Sequence, residues 1–401
     1  MLSDDLLGHG QHVMTVCNSC RYCEAYCPVF PAMESRFTFS KVDLAYLANL
    51  CHNCGECLYA CQYAPPHEFG INVPRTLAQI RARSYEDYCW PKFLAVGFAR
   101  QWLWTTMTVV LGFIGVLSAA RQGVWWSERS VGAGSADFYQ VIPHDVMVTL
   151  FGAVSIFVTI ALVVSCRRFW RDMNVQDRTD STVASGFSRT FNVGGSLPPK
   201  GGSHPEGRSH TRNIHLLLSP AMLAGFRDAL TVKHLHVSGV DCVDAQESRR
   251  PWRRWLHHLT FYGFGLCFAS TSVAALYHVL FGWRAPYGYA SLPVIFGTIG
   301  GIALLIGPCG LLLLDRTRDE ALNEPTRTGL DTSFASVLAI TSATGLLVLV
   351  LRESAWMPLL LIVHLAFVLA LFLALPYGKF VHGIYRTAAL IRYRSEAGGA
   401  R

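Results

Sequence analysis

The chain has 401 residues, 51% of them hydrophobic and 15% charged, with a formal charge of +7 and a mean hydropathy of +0.30. That is too apolar for an ordinary soluble protein and points to membrane spans. The positive charge invites a nucleic-acid reading, but the basic residues flank apolar stretches, which the positive-inside bias explains. The opening MLSDDLLGHGQHV has no basic segment leading into an apolar core, so no cleaved signal is expected.

Cys17, Cys20, Cys23 and Cys27 follow the spacing C-x2-C-x2-C-x3-C, with Pro28 next, and Cys51, Cys54, Cys57 and Cys61 repeat it. In bacterial ferredoxins such runs hold iron–sulfur clusters, the fourth cysteine of each run ligating the other cluster. Three thiolates on one short loop cap one face of a cubane, and the fourth must approach from elsewhere. The crossed sets are Cys17, Cys20, Cys23 and Cys61 for one [4Fe–4S] cluster, and Cys51, Cys54, Cys57 and Cys27 for the other. Zinc and disulfides are the bland alternatives, but neither asks for this run twice. Thiolates that must stay reduced place the module in the cytoplasm. Cys89, Cys166, Cys242, Cys267 and Cys309 are scattered and read as small apolar residues.

Residues 1–90 read as a ferredoxin-like 2[4Fe–4S] domain. Within it, Phe39 to Leu50 is amphipathic and predicts a helix between the two runs, and Val73-Pro74 opens another. Six stretches, 93–119, 145–166, 257–281, 291–314, 333–351 and 356–376, are each long enough to cross about 30 Å of hydrocarbon. The fold class is therefore an α-helical membrane protein with six transmembrane helices. Residues 91–170 form a first hairpin, 171–256 a cytoplasmic linker and helical insertion, and 257–401 a four-helix haem-binding domain. CRRFWRDM, RRPWRR, DRTRDE and KFVHGIYR lie on one side, against Arg121, Arg129, Arg284 and Arg352 on the other, which puts both termini inside. The insertion opens with a Gly/Ser/Pro-rich linker and continues into NIHLLLSPAMLAGFRDALTVKHL, a helical segment expected to pack on the cysteine module.

An ionisable residue within a span is a functional candidate, because the bilayer penalises unpaired polar groups. His364 lies in the sixth span and His382 just past it. On one continuous helix the two share a face, about 27 Å apart along the axis. His257 and His258 sit at the inner boundary of the third span and His278 near its outer one. Antiparallel spans with histidines at two depths can present bis-His ligation to b-type haem. The inner pair would be His382 with His257 or His258, and the outer pair His278 with His364, giving one or two haems. Interface histidines bonded to carbonyls are the alternative, and His144 fits that role. Gly263, Gly265, Gly297, Gly300 and Gly301 suit helix packing, and Arg253, Arg254 and Lys379 could meet haem propionates. Neither a G-x-G-x-x-G nor a P-loop occurs, and no nucleophile–base constellation is visible. The chain reads as an electron-transfer subunit without its own substrate-oxidising site.

The double cysteine run, RRWLHHLTFYGFGLCFASTSVAALYH, APYGYASLPVIFGTIGG and LPYGKFVHGIYR together resemble the tricarballylate-utilisation, or citrate-utilisation, protein B family. They also resemble the C-terminal part of a related cobalamin-pathway fusion protein. The likeness covers nearly the whole chain and departs in the low-complexity stretch 178–212. It implies a membrane protein with two [4Fe–4S] clusters and b-type haem. Such a protein reoxidises the flavin of a separate FAD-dependent tricarballylate dehydrogenase and passes electrons toward quinone. The rival readings are a nitrate-reductase- or heterodisulfide-reductase-like respiratory subunit serving another dehydrogenase, and a membrane sensor or transporter that gauges redox state.

Overall fold

A computed structural model describes residues 3–123, 138–190, 219–235 and 250–399. The cysteine module is built from α1 (Asp4–Cys20), α2 (Val29–Glu34), α3 (Lys41–Leu50), α4 (Glu56–Tyr59) and α5 (Val73–Tyr88). Their starts are written locally. Ser3 accepts the Leu6 N–H (3.3 Å), Ser40 and Asp43 form a capping box, and Asn72 accepts the Arg75 N–H (3.1 Å) with Pro74 in the first turn. Met14, Leu44, Leu47, Leu77 and Ile80 from α1, α3 and α5 are fully buried against one another. The two helices expected in this region are thus present, and the ferredoxin spacing is carried on helices, with no strand among the described residues.

The two cysteine runs repeat in backbone as well as in spacing. Arg21 and Gly55 each stand one residue after the second cysteine of their run, and both take left-handed φ values, 56° and 94°. Arg21 does so as the C-cap of α1. At Gly55 the missing Cβ removes that strain and also spares a clash with the Leu322 side chain.

The chain continues through α6 (Val96–Ala99), α7 (Gln101–Ala120), α8 (Phe138–Val141), α9 (His144–Thr190), α10 (Pro220–Leu230) and α11 (Arg250–Phe281). It ends with α12 (Leu292–Asp315), α13 (Pro325–Val350), α14 (Met357–Ala374) and α15 (Val381–Gly399). Six segments are long and apolar enough to cross a membrane: Gln101–Ala120, His144–Asn174, Trp252–Phe281, Leu292–Asp315, Thr328–Val350 and Met357–Tyr377. They match the six expected stretches, with one clear shift. The first begins at Gln101 rather than at 93, because Pro91 and the non-helical Arg100 (φ −126°, ψ 59°) confine residues 92–99 to short turns.

α9 runs on to Thr190, so the first part of the stretch expected as a linker is helical. Its remainder, residues 191–212, together with Arg129 and Cys242, lies outside the described residues. The helical segment expected over 213–235 is α10, residues 213–218 again lying outside. α10 packs on α15, not flat on the cysteine module: Gly225 meets Ile391, and buried Asp228 accepts from Arg394 Nε (2.6 Å).

α11 packs on α12, α12 on α13, α13 on α14, and α14 on α7. Small residues set the close approaches, as Gly263 against Gly300 shows. α14 does not continue into α15. Pro376 lies in a terminal 3-10 turn and Gly378 is extended (φ −134°, ψ −166°), so the helix stops and restarts. The premise that His364 and His382 share the face of one helix therefore fails. α15 instead turns into the cysteine module and packs on α3 and α9. There Tyr85 and Tyr385 stack (5.6 Å between ring centres), with Tyr88 and Phe169 edge-on around them.

Gly112 of α7 lies against the α14 backbone, where any Cβ would run into the Ala366 carbonyl oxygen. Gly112→Leu is expected to destabilise the detergent-solubilised protein by about 1–3 kcal/mol, the usual range for overpacking. Thermal unfolding against wild type measures it. Gly265→Leu, where nothing lies within 4 Å of the added Cβ, is the control expected to change little.

Candidate metal centres

The eight cysteines of the two runs divide between two adjoining cavities. The first, of about 230 Å³, is lined by Cys17, Cys20, Cys23 and Cys61, and also by Cys57, which lines both. The second, of about 20 Å³, is lined by Cys27, Cys51, Cys54 and Cys57. Cys61, the last cysteine of the second run, lines the first cavity, and Cys27, the last of the first run, lines the second. The electrostatics agree. Burial, then the neighbouring Cys61, Cys23 and Cys20, push the Cys17 thiol up to about 12. Burial, then Cys54 and Cys51, push Cys27 well above the usual thiol range. Thiols so arranged stay protonated unless a cationic centre draws off their protons.

Among the described residues, no three His, Cys, Asp or Glu side chains converge as a single metal ion requires. Spread over a cavity, the four thiols of the first set suit a polynuclear iron–sulfur group better than one zinc ion. The second cavity is tighter, and a group of that size there needs its thiols to rotate outward. The Asn53 N–H already points at Cys51 Sγ (3.3 Å), a backbone donor of the kind that stabilises a bound thiolate.

The second cavity is the one near the helical bundle, since His257 of α11 acts on His52 in its wall. His52, inside the second run, and His234, just beyond α10, complete its lining. Burial first, then Arg386, His257 and His234, push His52 well below the usual histidine range. His234 is lowered to about 4, mainly by burial and against the pull of Asp228. Both rings are therefore neutral. The loop after α12 clasps the second run from outside: Arg318 donates to the Asn53 carbonyl (2.8 Å), Tyr59 to Asp319 (3.0 Å), and Asn72 to the Ala321 carbonyl (2.8 Å).

Near His52 is a histidine pair. His257 and His382 lie with ring centres 6.2 Å apart and planes at 88°. Two metal–imidazole bonds of about 2 Å, plus the two ring radii, also give about 6 Å. His382 Nδ1 is 2.7 Å from the Lys379 carbonyl oxygen. A carbonyl only accepts, so Nδ1 carries the proton and Nε2 keeps its lone pair, as in a metal-ligating imidazole. Burial, then Lys379 and His257, lowers His382 to about 3, which keeps it neutral. His257 Nδ1 is buried with no hydrogen-bond partner. The pair suits a bis-His iron. Of the two alternatives at the inner boundary, His257 meets His382, whereas His258 stacks on Tyr262 (5.6 Å, 5°) beside Arg254.

The outer histidines are arranged otherwise than expected. The ring facing His278 is His144, stacked at 3.8 Å, with Tyr139 beside both. His144 opens α9 and His278 lies in the last turn of α11, so the two helix ends bring them together. His364 turns toward α13, its Nδ1 within 3.2 Å of the Thr341 carbonyl and of Thr344 Oγ1, with Gly345 leaving room for the ring. His364 is thereby oriented like a metal ligand, but it is not opposed by His278. Two residues considered for propionates have carboxylate partners: Arg253 pairs with Asp315 (3.0 Å) and Lys379 with Asp331. Arg254 reaches the Thr231 carbonyl (3.4 Å). His52, His234 and Arg386 escaped the sequence reading. Two had a visible signal: His52 lies within a cysteine run, and Arg386 stands one helical turn after His382.

Fold and site together define a helical protein with six helices long and apolar enough to cross a membrane and a cysteine-rich Fer4-like module at one end. Two family models match the chain: citrate utilization protein B over residues 126–401, and the citrate utilization protein B Fer4-like domain over residues 10–87. The curated citrate utilization protein B of Escherichia coli is 40% identical over 389 residues, covering 96% of this chain and 91% of that protein. The chain belongs to the citrate utilization protein B family. No solved structure matches it.

Two outcomes follow from the geometry. Cys61→Ser should strip iron from the first site, although Cys61 belongs to the second run, and leave the second site loaded; iron content and EPR spectra decide it. His257→Ala and His382→Ala should each lose a b-type signal in reduced-minus-oxidised spectra, while His258→Ala keeps it. Equal loss from His257→Ala and His258→Ala would count against the pairing described.

Proposed function

We propose that this protein carries electrons from the reduced flavin of a separate FAD-dependent dehydrogenase to membrane quinone. The observation that carries the reading is the closeness of the second cysteine cavity to the His257–His382 pair: His52, in the cavity wall, is near enough to His257 to feel its charge. Two [4Fe–4S] clusters and one or two b-type haems would supply the one-electron carriers that link a two-electron flavin to that path. Cys17, Cys20, Cys23 and Cys61 hold the first cluster, and Cys27, Cys51, Cys54 and Cys57 the second. His257 and His382 hold haem iron, and His364 and His278 are further candidates.

The remaining side chains orient and insulate. The Lys379 carbonyl sets the His382 tautomer. Phe264 of α11 and Phe380, just before α15, meet with ring centres 5.5 Å apart and add an apolar contact between the chain segments that carry the histidine pair. The first cavity opens to the surface beside exposed Tyr22, and Phe37, Tyr59 and Phe69 are also exposed on the module. The flavoprotein docks on this face, within residues 1–90. The name of the E. coli relative refers to citrate utilisation. Carried to this chain, it points to a tricarboxylic acid, citrate or tricarballylate, as the partner's substrate.

Arg167, Arg168, Arg253, Arg254, Arg316 and Lys379 stand at the module end of the bundle, against Arg121, Arg284 and Arg352 at the far end. Exposed Trp252 and Trp255 at one end, and Trp283 and Trp356 at the other, mark two interfacial belts. The module and both termini accordingly lie in the bacterial cytoplasm, with the bundle in the cytoplasmic membrane.

The test uses the full chain in vesicles containing quinone, with a tricarballylate-dehydrogenase-type flavoprotein added. The chain alone should not oxidise tricarballylate or citrate, and adding it should speed reoxidation of the reduced flavin. Acid turnover without any flavoprotein would place the chemistry in this chain and end the proposal.

A further inference from the structure

Two guanidiniums converge on the second cysteine loop. Arg386 Nη1 donates to the Cys51 carbonyl (3.1 Å) and Nη2 to the Leu50 carbonyl (2.7 Å). Arg81, only 7% exposed, donates to the Ala48 carbonyl (3.3 Å) and also to the Cys51 carbonyl. The bland account is that both cap the C-terminal end of α3, whose last carbonyls have no helical partner. That account leaves two facts over. Capping needs no second cation beside the first, and among the described residues no carboxylate pairs with either arginine. In addition, Arg386 Nε is buried with no acceptor. Other cations on this side of the module are neutralised: Arg36 by Asp43 and Glu396, and Arg318 by Asp315.

An iron–sulfur cluster on four thiolates is anionic, and reduction makes it more so. Positive charge and N–H donors beside it favour the reduced form and raise its potential. The first cavity has no Arg, Lys or His in its lining, whereas the second has His52 and His234 in its wall and the two guanidiniums behind Cys51. Glu56, also in the second lining, acts the other way. Two guanidiniums against one carboxylate still leave a net positive charge.

We propose that Arg81 and Arg386 are the fixed counter-charges of the second cysteine site, holding the cluster bound there at a higher reduction potential than the cluster in the first site. The inference rests on the reading that each site carries a [4Fe–4S] cluster. Electron movement is then ordered by the protein itself: one electron leaves the exposed first site as one arrives at the second, next to the histidine pair, and no atom is transferred. Burial alone would disfavour adding charge at the second site, so the guanidiniums decide the sign.

The test is an EPR-monitored redox titration of the anaerobically purified full chain in detergent, with iron and sulfide measured on the same samples. Cys20→Ala, which removes a first-site ligand, identifies the signal that belongs to the second site. In wild type that signal should have the higher midpoint. Arg386→Gln should shift it to lower potential and leave the first-site midpoint in place, and Arg386→Lys should restore most of the shift. A second-site midpoint below the first in wild type overturns the inference, even if Arg386→Gln fails to accumulate. So does Arg386→Gln protein with full iron content and unmoved midpoints, or with both moved alike. Iron and sulfide for fewer than two clusters would instead show that the underlying reading is wrong.

Discussion

α15 joins the two halves of the molecule. In its first turn His382 meets His257 of α11. One turn on, Arg386 donates to the Leu50 and Cys51 carbonyls at the second cysteine loop. Near its end Glu396 accepts from Arg36 (2.8 Å), Tyr46 (3.0 Å) and Arg392 (2.9 Å), which ties it to α3 and to the turn after α2. A helix is stiff, with a fixed rise per residue. The separation between cysteine loop and histidine pair is therefore set by one rigid element, not by the relative drift of two domains. The stacked Tyr85 and Tyr385 rings and buried Phe169 reinforce the joint with apolar contact, and the polar network at Glu396 makes its register specific.

This arrangement blurs the division into an N-terminal module and a C-terminal bundle. The module's core includes Leu390, Ala389 and Tyr385 from the last helix and Phe169 and Met173 from α9. The loop after α12 holds the second cysteine run from the other side. Elements that are far apart in sequence thus pack on the second site. The first site borders the solvent and draws its lining from residues 16–73 alone. The site nearer the bundle is clamped, and the outer one is left accessible.

The two sites also differ in how far the protein prepares them. The first cavity is open at about 230 Å³, whereas the second closes to about 20 Å³ around thiols and two histidines. Buried thiols beside buried guanidiniums are a charge arrangement that a metal-bound, thiolate-rich group completes. Folding of the clamped site and loading of its metal are coupled on this view, because neither set of buried groups is satisfied without the other.

Local features of the sequence determined much of this protein. The cysteine spacing specifies two similar loops, and the last cysteine of each lines the other run's cavity. The six apolar stretches specify six long helices, since hydropathy over about 18 residues reports burial in lipid or core regardless of what lies beside the helix. Ser40 with Asp43, and Asn72 with Pro74, specify where α3 and α5 begin. Tertiary structure alone decided which histidines meet. His278 faces His144 and not His364, because helix ends are brought together by their order around the bundle. His364 and His382 part company at Pro376 and Gly378, where the continuous helix assumed from hydropathy breaks. His257, not His258, meets the His382 ring, and His258 stacks on Tyr262 instead. Such choices depend on the rotation and neighbours of whole helices, which no window of sequence records.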